Sequence, residues 1–209
     1  VKLLTKHILS RLGGRVATRT EIQAACRRFG ADPERTLNFM ISYGYLIRIL
    51  RGLYYVRTLE EFKLEKAPGV LRLLSLGLSR LRVRWYFGLH TALALNGLTH
   101  EFPGVTFVLN DAIFRPKDIR VAGERVRFVK LKPRLFGFGI TERDGIRFSD
   151  AEKTILDMVY LSRYRGVPRA RAVSMASEHR RNLKREKLKA YLRFYPKTVG
   201  EVARDAGLL

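Results

Sequence analysis

The sequence predicts an α+β fold: an N-terminal winged helix-turn-helix, then a C-terminal α/β domain with a small mixed or antiparallel sheet and terminal helices. Three observations predict it. Residues 32–56 read as a capped helix, a glycine stop and two β-prone runs joined across Arg51-Gly52. Ahead of them, two helical stretches separated by one extended step complete the order helix, strand, helix, helix, hairpin over residues 2–57. Past Ala67-Pro68-Gly69 the pattern changes to period-two runs and then to helices that fill the end of the chain.

Leu4, Ile8 and Leu12 share a face at helical spacing, and Gly13-Gly14 stops that helix. Val16-Ala17 is the extended step. Thr18 and Glu21 have capping-box spacing and open a helix to Phe29 that buries Ile22, Ala25 and Cys26. Asp32 is a good N-cap, Pro33 suits the first helical position, and Glu34 favours the positive helix start. Leu37, Met40 and Ile41 then face a core, leaving Arg35, Thr36, Asn38 and Ser42 on the polar side. Gly44 ends the helix. Runs 45–50 and 53–56 form the hairpin.

Residues 58–66 are charged and helical by pattern, and the break at 67–69 separates two domains, 1–66 and 67–209. Leucine-rich 70–81 reads as a helix packed on the second domain. Trp85-Tyr86-Phe87 is extended, and 88–98 is a compact apolar helix that includes His90. Runs 105–110 and 125–132 read as strands, and 136–140 with 145–148 as a hairpin around Glu142-Arg143-Asp144. Ser149 and Glu152 have capping-box spacing before a helix over 150–163, with Asp157 placed toward solvent or the next helix. Three further helices are expected near 168–180, 184–194 and 198–207.

The charge is extreme. Lys and Arg number 41 against 19 Asp and Glu in 209 residues, a net of +22. It is also evenly spread: residues 1–66 carry 13 basic and 6 acidic side chains, 67–132 carry 11 and 4, and 133–209 carry 17 and 9. A separate basic tail is excluded, and the whole body favours a polyanionic partner, nucleic acid above all. No apolar run reaches the roughly 18–20 residues that span a bilayer, so no membrane partner is expected. The single cysteine, Cys26, excludes an internal disulfide and offers no zinc-ligand set. A cytoplasmic setting follows.

On a winged helix-turn-helix the polar helix face enters a major groove and the hairpin is the wing. The candidate base readers are Arg35, Thr36, Asn38 and Ser42, since arginine pairs bidentately with guanine and asparagine with adenine. Arg19 and Thr20 at a helix start, with Arg48 and Arg51 on the wing, are the candidate phosphate contacts. Further nucleic-acid contacts are expected from Arg80, Arg82 and Arg84, in an acid-free window running from Lys66 to His100, and from Arg180, Arg181 and Lys184.

Catalytic motifs are lacking: there is no phosphate-binding glycine loop and no His-Glu-x-x-His. His7, His90, His100 and His179 lack ligand spacing, and His90 reads as a packed histidine. Asp150, Glu152 and Lys153 superficially match a nuclease cluster, but the capping box explains Ser149 and Glu152 more simply. The chain therefore reads as a binding protein without catalytic residues, metal or cofactor.

Three stretches resemble the AbiEi-type transcriptional regulators, the antitoxins of type IV toxin–antitoxin systems. These are Gly-Tyr-Leu-Ile-Arg-Ile-Leu-Arg-Gly-Leu-Tyr-Tyr-Val (44–56), Gly-Leu-His-Thr-Ala-Leu-Ala-Leu-Asn-Gly-Leu (88–98) and Ser-Asp-Ala-Glu-Lys-Thr-Ile-Leu-Asp-Met-Val-Tyr (149–160). Residues 189–209 resemble the family's terminal helices. All are packing patterns, and their order carries the likeness. The resemblance implies an autorepressor that binds inverted repeats in its own promoter. It also implies a separately encoded nucleotidyltransferase toxin, neutralised through the C-terminal domain without a stable complex. The basic, acid-poor middle leaves open an RNA-binding or architectural protein, and a nuclease with a winged-helix targeting domain is a third reading.

Overall fold

The structure, a computed structural model, describes residues 2–101 and 103–209. The chain is α+β and divides into two compact units, Val1–Arg82 with Arg120–Glu124, and Val83–Ile119 with Arg125–Leu209.

The first unit runs α1 (Lys2–Leu12), β1 (Arg15–Thr18), α2 (Arg19–Arg28), α3 (Pro33–Ser42), β2 (Leu46–Leu50), β3 (Leu53–Val56), α4 (Leu59–Lys63) and α5 (Val70–Leu78). Its three strands are antiparallel in the order β1-β3-β2. The expected caps form. Thr18 Oγ1 accepts from the Glu21 amide at 3.1 Å while Glu21 Oε2 accepts from the Thr18 amide at 2.6 Å. Asp32 Oδ1 accepts from the Arg35 amide at 2.7 Å, a bond whose loss typically costs about 1 kcal/mol. Ile8, Ile22, Cys26 and Met40 are fully buried in one core with Ala17, Leu37, Leu46, Tyr54 and Val56.

The break between the units falls after Arg82, not at 66/67, and α5 belongs to the first unit. The reason is visible in β3, which is buried along its whole length. Tyr54 and Val56 enter the core just described. Leu53 and Tyr55 alternate to the other face, which α5 covers with Leu73, Leu74 and Leu78. Packing there is close: a Cβ on Gly77 would lie 2.8 Å from Ile49 Cγ2.

Past Arg82, β4 (Trp85–Phe87), α6 (Leu89–Leu95), β5 (Thr106–Asn110), β6 (Ile119–Val121, of which Arg120 and Val121 group with the first unit) and β7 (Glu124–Lys130) lead to β8 (Ile140–Arg143) and β9 (Ile146–Ser149). Helices α7 (Ala151–Ser162), α8 (Arg169–Glu178), α9 (Arg185–Leu192) and α10 (Lys197–Asp205) follow. The sheet is mixed, in the order β6-β7-β5-β4-β9-β8, with β5 parallel to β7 and β4 parallel to β9. Strand β6 went unforeseen, as three residues show too little alternation to read. A hairpin forms, but not in the expected register: its first strand is Ile140–Arg143 and not 136–140, so Glu142 and Arg143 lie in the strand and the turn is Asp144-Gly145. Pro133–Phe136 is a 3₁₀ turn that buries Leu135 and Phe136.

Helix α7 is buried nearly all round. Its cap differs from expectation: Asp150 is the N-cap, accepting from the Lys153 amide at 2.9 Å, and Ser149 ends β9. Glu152 accepts instead from the Lys184 amide at 2.8 Å. Asp157 does not face solvent. It is fully buried and accepts from Tyr195 Oη at 2.6 Å, Tyr86 Oη at 2.7 Å and Lys153 Nζ at 3.4 Å. Burial pushes the Asp157 carboxyl up and the Lys153 ammonium down, and their mutual attraction opposes both shifts. Among the described residues, no helix is long and apolar enough to cross a membrane.

Candidate nucleic-acid interface

Four local devices assemble one polar surface on the first unit. The capping box starts α2 at Arg19, and Asp32 starts α3 at Pro33. Gly52, at φ +77°, lets β2 turn back into β3, a conformation that suits glycine. The Arg19 amide then donates to the Gly52 carbonyl at 2.8 Å, setting the hairpin tip beside the start of α2. The Arg19 guanidinium also pairs with Glu34 in the first turn of α3. Two helix starts and a hairpin tip thus meet at Arg19.

The expected phosphate contacts fall at this meeting point and on the hairpin. Arg19, Thr20, Arg48 and Arg51 are all exposed. Arg51 sits in the turn itself, and Arg48 lies beside the bulge that separates it from Leu50 on β2. The Arg19–Glu34 pair is about half exposed on both sides, so it is weak and a phosphate can compete for the guanidinium. The amides of Thr18, Arg19 and Glu21 at the start of α2 are already bonded, so it is the helix dipole there, and not a set of free donors, that favours an anion.

The expected base readers divide. Arg35, Asn38 and Ser42 are exposed at spacings of three and four on α3, a single stripe along the helix. Arg35 and Asn38 have no side-chain partner within the described chain, so their donors are open. Ser42 Oγ donates to the Phe39 carbonyl at 3.0 Å and retains its acceptor capacity. Thr36 does not belong to this stripe. It is 8% exposed, and its hydroxyl donates to the Asp32 carbonyl at 2.7 Å. At that position the helix turns toward the core, so a polar residue is consumed by local bonding.

Of the further basic residues, two are engaged. Arg80 pairs with Glu21 at 3.0 Å, and Arg84 pairs with Asp111 at 2.7 Å. Arg82, Arg180, Arg181 and Lys184 are exposed and outside the ion pairs of the described residues. Sequence reasoning missed Arg11, Arg15 and Arg28, which line a hollow of about 450 Å³ between α1 and α2 with Glu21 on its wall. Their clue was the acid-free first 20 residues. Glu21 itself is held below its ordinary carboxyl range, chiefly by the Thr18 amide.

The nuclease-like triplet forms no open site. Asp150 caps α7 and accepts from Tyr191 Oη at 2.8 Å and Lys187 Nζ at 3.0 Å. Glu152 is 3% exposed, and the Lys153 ammonium lies buried over the rings of Phe138 and Tyr86, 4.3 and 4.9 Å from their centroids. These groups hold α7, β9 and α9 together.

No family model matches this chain, and no curated protein does. Among solved structures, the RV2827C protein from Mycobacterium tuberculosis is similar, with a TM-score of 0.61 at 13% identity over 98% of this chain and 76% of that chain. That likeness is one of fold, and it extends through both units of this α+β chain.

Proposed function

We propose that the chain is a sequence-specific regulator that binds double-stranded DNA, with its first unit acting as a winged helix-turn-helix. In this reading α3 reads base edges through Arg35, Asn38 and Ser42, and the β2–β3 hairpin is the wing. The observation that carries it is the meeting of the α2 start, the α3 start and the hairpin tip at Arg19, beside an exposed stripe with unclaimed donors. A B-form major groove about 12 Å wide admits such a helix. The deep, narrow major groove of A-form RNA does not, which favours duplex DNA over RNA. The net charge of +22 supplies the sequence-independent part of the affinity.

The resemblance of 44–56, 88–98 and 149–160 to AbiEi-type regulators supports a narrower role. The chain then represses its own operon through inverted repeats, and its second unit counteracts a nucleotidyltransferase toxin encoded beside it. The decisive experiment selects binding sites from random duplexes with the full chain, then footprints the chain upstream of its own gene. We expect recovered sites to form inverted half-sites and to match the protected region. Tighter binding to hairpin RNA or single strands of equal length, at equal salt, would overturn the reading.

A further inference from the structure

The second unit holds a surface cavity of about 570 Å³, a size typical of small-molecule sites. Its floor is apolar: Leu89, Met158 and Leu161 line it, and each is less than a tenth exposed. Its wall is basic, with His90, Arg165 and Arg171. Neither arginine has a carboxylate partner among the described residues.

Two further features mark the place. One ring is flanked on two sides: His90 lies 5.9 Å from Phe107, and the Arg127 guanidinium sits 5.8 Å over the same ring. Arg127 is answered by Asp118 at 2.6 and 2.9 Å, whereas Arg165, near enough to feel Arg127's repulsion, is not. Burial, and then Arg127, lower the Arg165 guanidinium; burial, and then Arg165, lower the His90 imidazole. Leu89 is the second feature. It begins α6 at φ +53°, a left-handed conformation costing a leucine about 1–2 kcal/mol, and it lies in the cavity floor directly before His90.

We propose that this cavity binds a small amphipathic carboxylate, with its apolar body on Leu89, Met158 and Leu161 and its carboxylate between Arg165 and Arg171. A guanidinium fork matches a planar carboxylate, and an unanswered cation beside an apolar floor selects a molecule with both characters. Glu178, also on the rim, disfavours a more highly charged anion such as a phosphate dianion. The site is independent of the DNA reading, and its test contains no DNA.

The test titrates the full chain by calorimetry with 2-naphthoate, with its neutral counterpart 2-naphthalenemethanol and with inorganic phosphate. Saturable binding of naphthoate at one site is expected, with the alcohol at least about tenfold weaker, the loss of a charge-assisted bond, and with inorganic phosphate failing to displace the naphthoate. Arg165→Gln and Arg171→Gln should each weaken naphthoate about tenfold and leave the alcohol unchanged. Lys189→Gln, on α9 and outside the cavity lining, should bind naphthoate as the parent does. Equal affinity for naphthoate and the alcohol, displacement of naphthoate by phosphate, or indifference to both cavity variants would overturn the proposal.

Discussion

The Arg19 amide donates to the Gly52 carbonyl at 2.8 Å, tying the first residue of α2 to the tip of the β2–β3 hairpin. One backbone bond thus makes a single surface of groups 33 residues apart in sequence. The same arginine reaches Glu34 on α3, so the candidate phosphate contacts and the candidate reading helix share a hub.

If this surface holds the DNA backbone, its arginines act without regard to sequence. Arg51→Ala and Arg48→Ala should weaken binding to all duplexes alike and each reduce the log–log salt slope by about 1. Arg84→Ala, whose guanidinium is occupied by Asp111, should leave the slope unchanged. Fluorescence anisotropy across a salt series measures both. A variant of either hairpin arginine that altered base preference at constant slope would contradict the assignment.

Base reading should rest on Arg35 and Asn38. Replacing either by alanine should cost about 1–3 kcal/mol of discrimination at particular base positions. Thr36→Val separates the groove from the core: its hydroxyl is bonded to Asp32, so stability should fall while base preference stays. Site selection from random duplexes, with melting temperatures of the same variants, checks the pair.

The placement of α5 predicts which fragment folds. Residues 1–82 keep the cover over Leu53, Tyr55 and Ile49, whereas 1–66 exposes them. Circular dichroism should show cooperative melting for the longer piece and little or none for the shorter. Gly77→Val should destabilise by about 1–3 kcal/mol through overpacking against Ile49.

The buried cluster of the second unit gives a sharper stability test. Asp157→Ala strands Lys153 and removes the acceptor of two phenols, a loss of about 3–5 kcal/mol. The double variant Lys153→Met with Asp157→Leu should recover the part due to the stranded ammonium, because no charge is then buried alone, while the two phenols still lack their acceptor. Chemical denaturation of the three proteins reads this directly, and equal losses in single and double variants would show that the ion pair is immaterial.

Glu21 makes a pH prediction. Its folded-state acidity is raised by the Thr18 amide, so its carboxyl sits below the ordinary value of 4.5. The capping stability is therefore full above that value and is lost as pH falls through the folded one. Glu21→Gln should flatten that part of the acid limb in a melting-temperature profile, and an unchanged limb would refute the role.

Local chemistry by itself determined the α+β class, the two helix caps at Thr18 and Asp32, the turn at Gly52, and the order of elements through the first 57 residues. Each is set by neighbours a few positions apart, and a linear reading sees them. The exposure of Arg35, Asn38 and Arg51 was legible for the same reason, since helix and hairpin periodicity place them away from the apolar face. Only the tertiary structure decided that α5 covers the first sheet, because a leucine-rich helix fits any apolar surface and its partner is chosen by shape, here by Gly77 against Ile49. It likewise withdrew Thr36 from the polar stripe and buried Asp157. The partners of Asp157, Tyr86 and Tyr195, lie 71 and 38 residues away, and a carboxylate enters a core only where such distant hydroxyls converge on it.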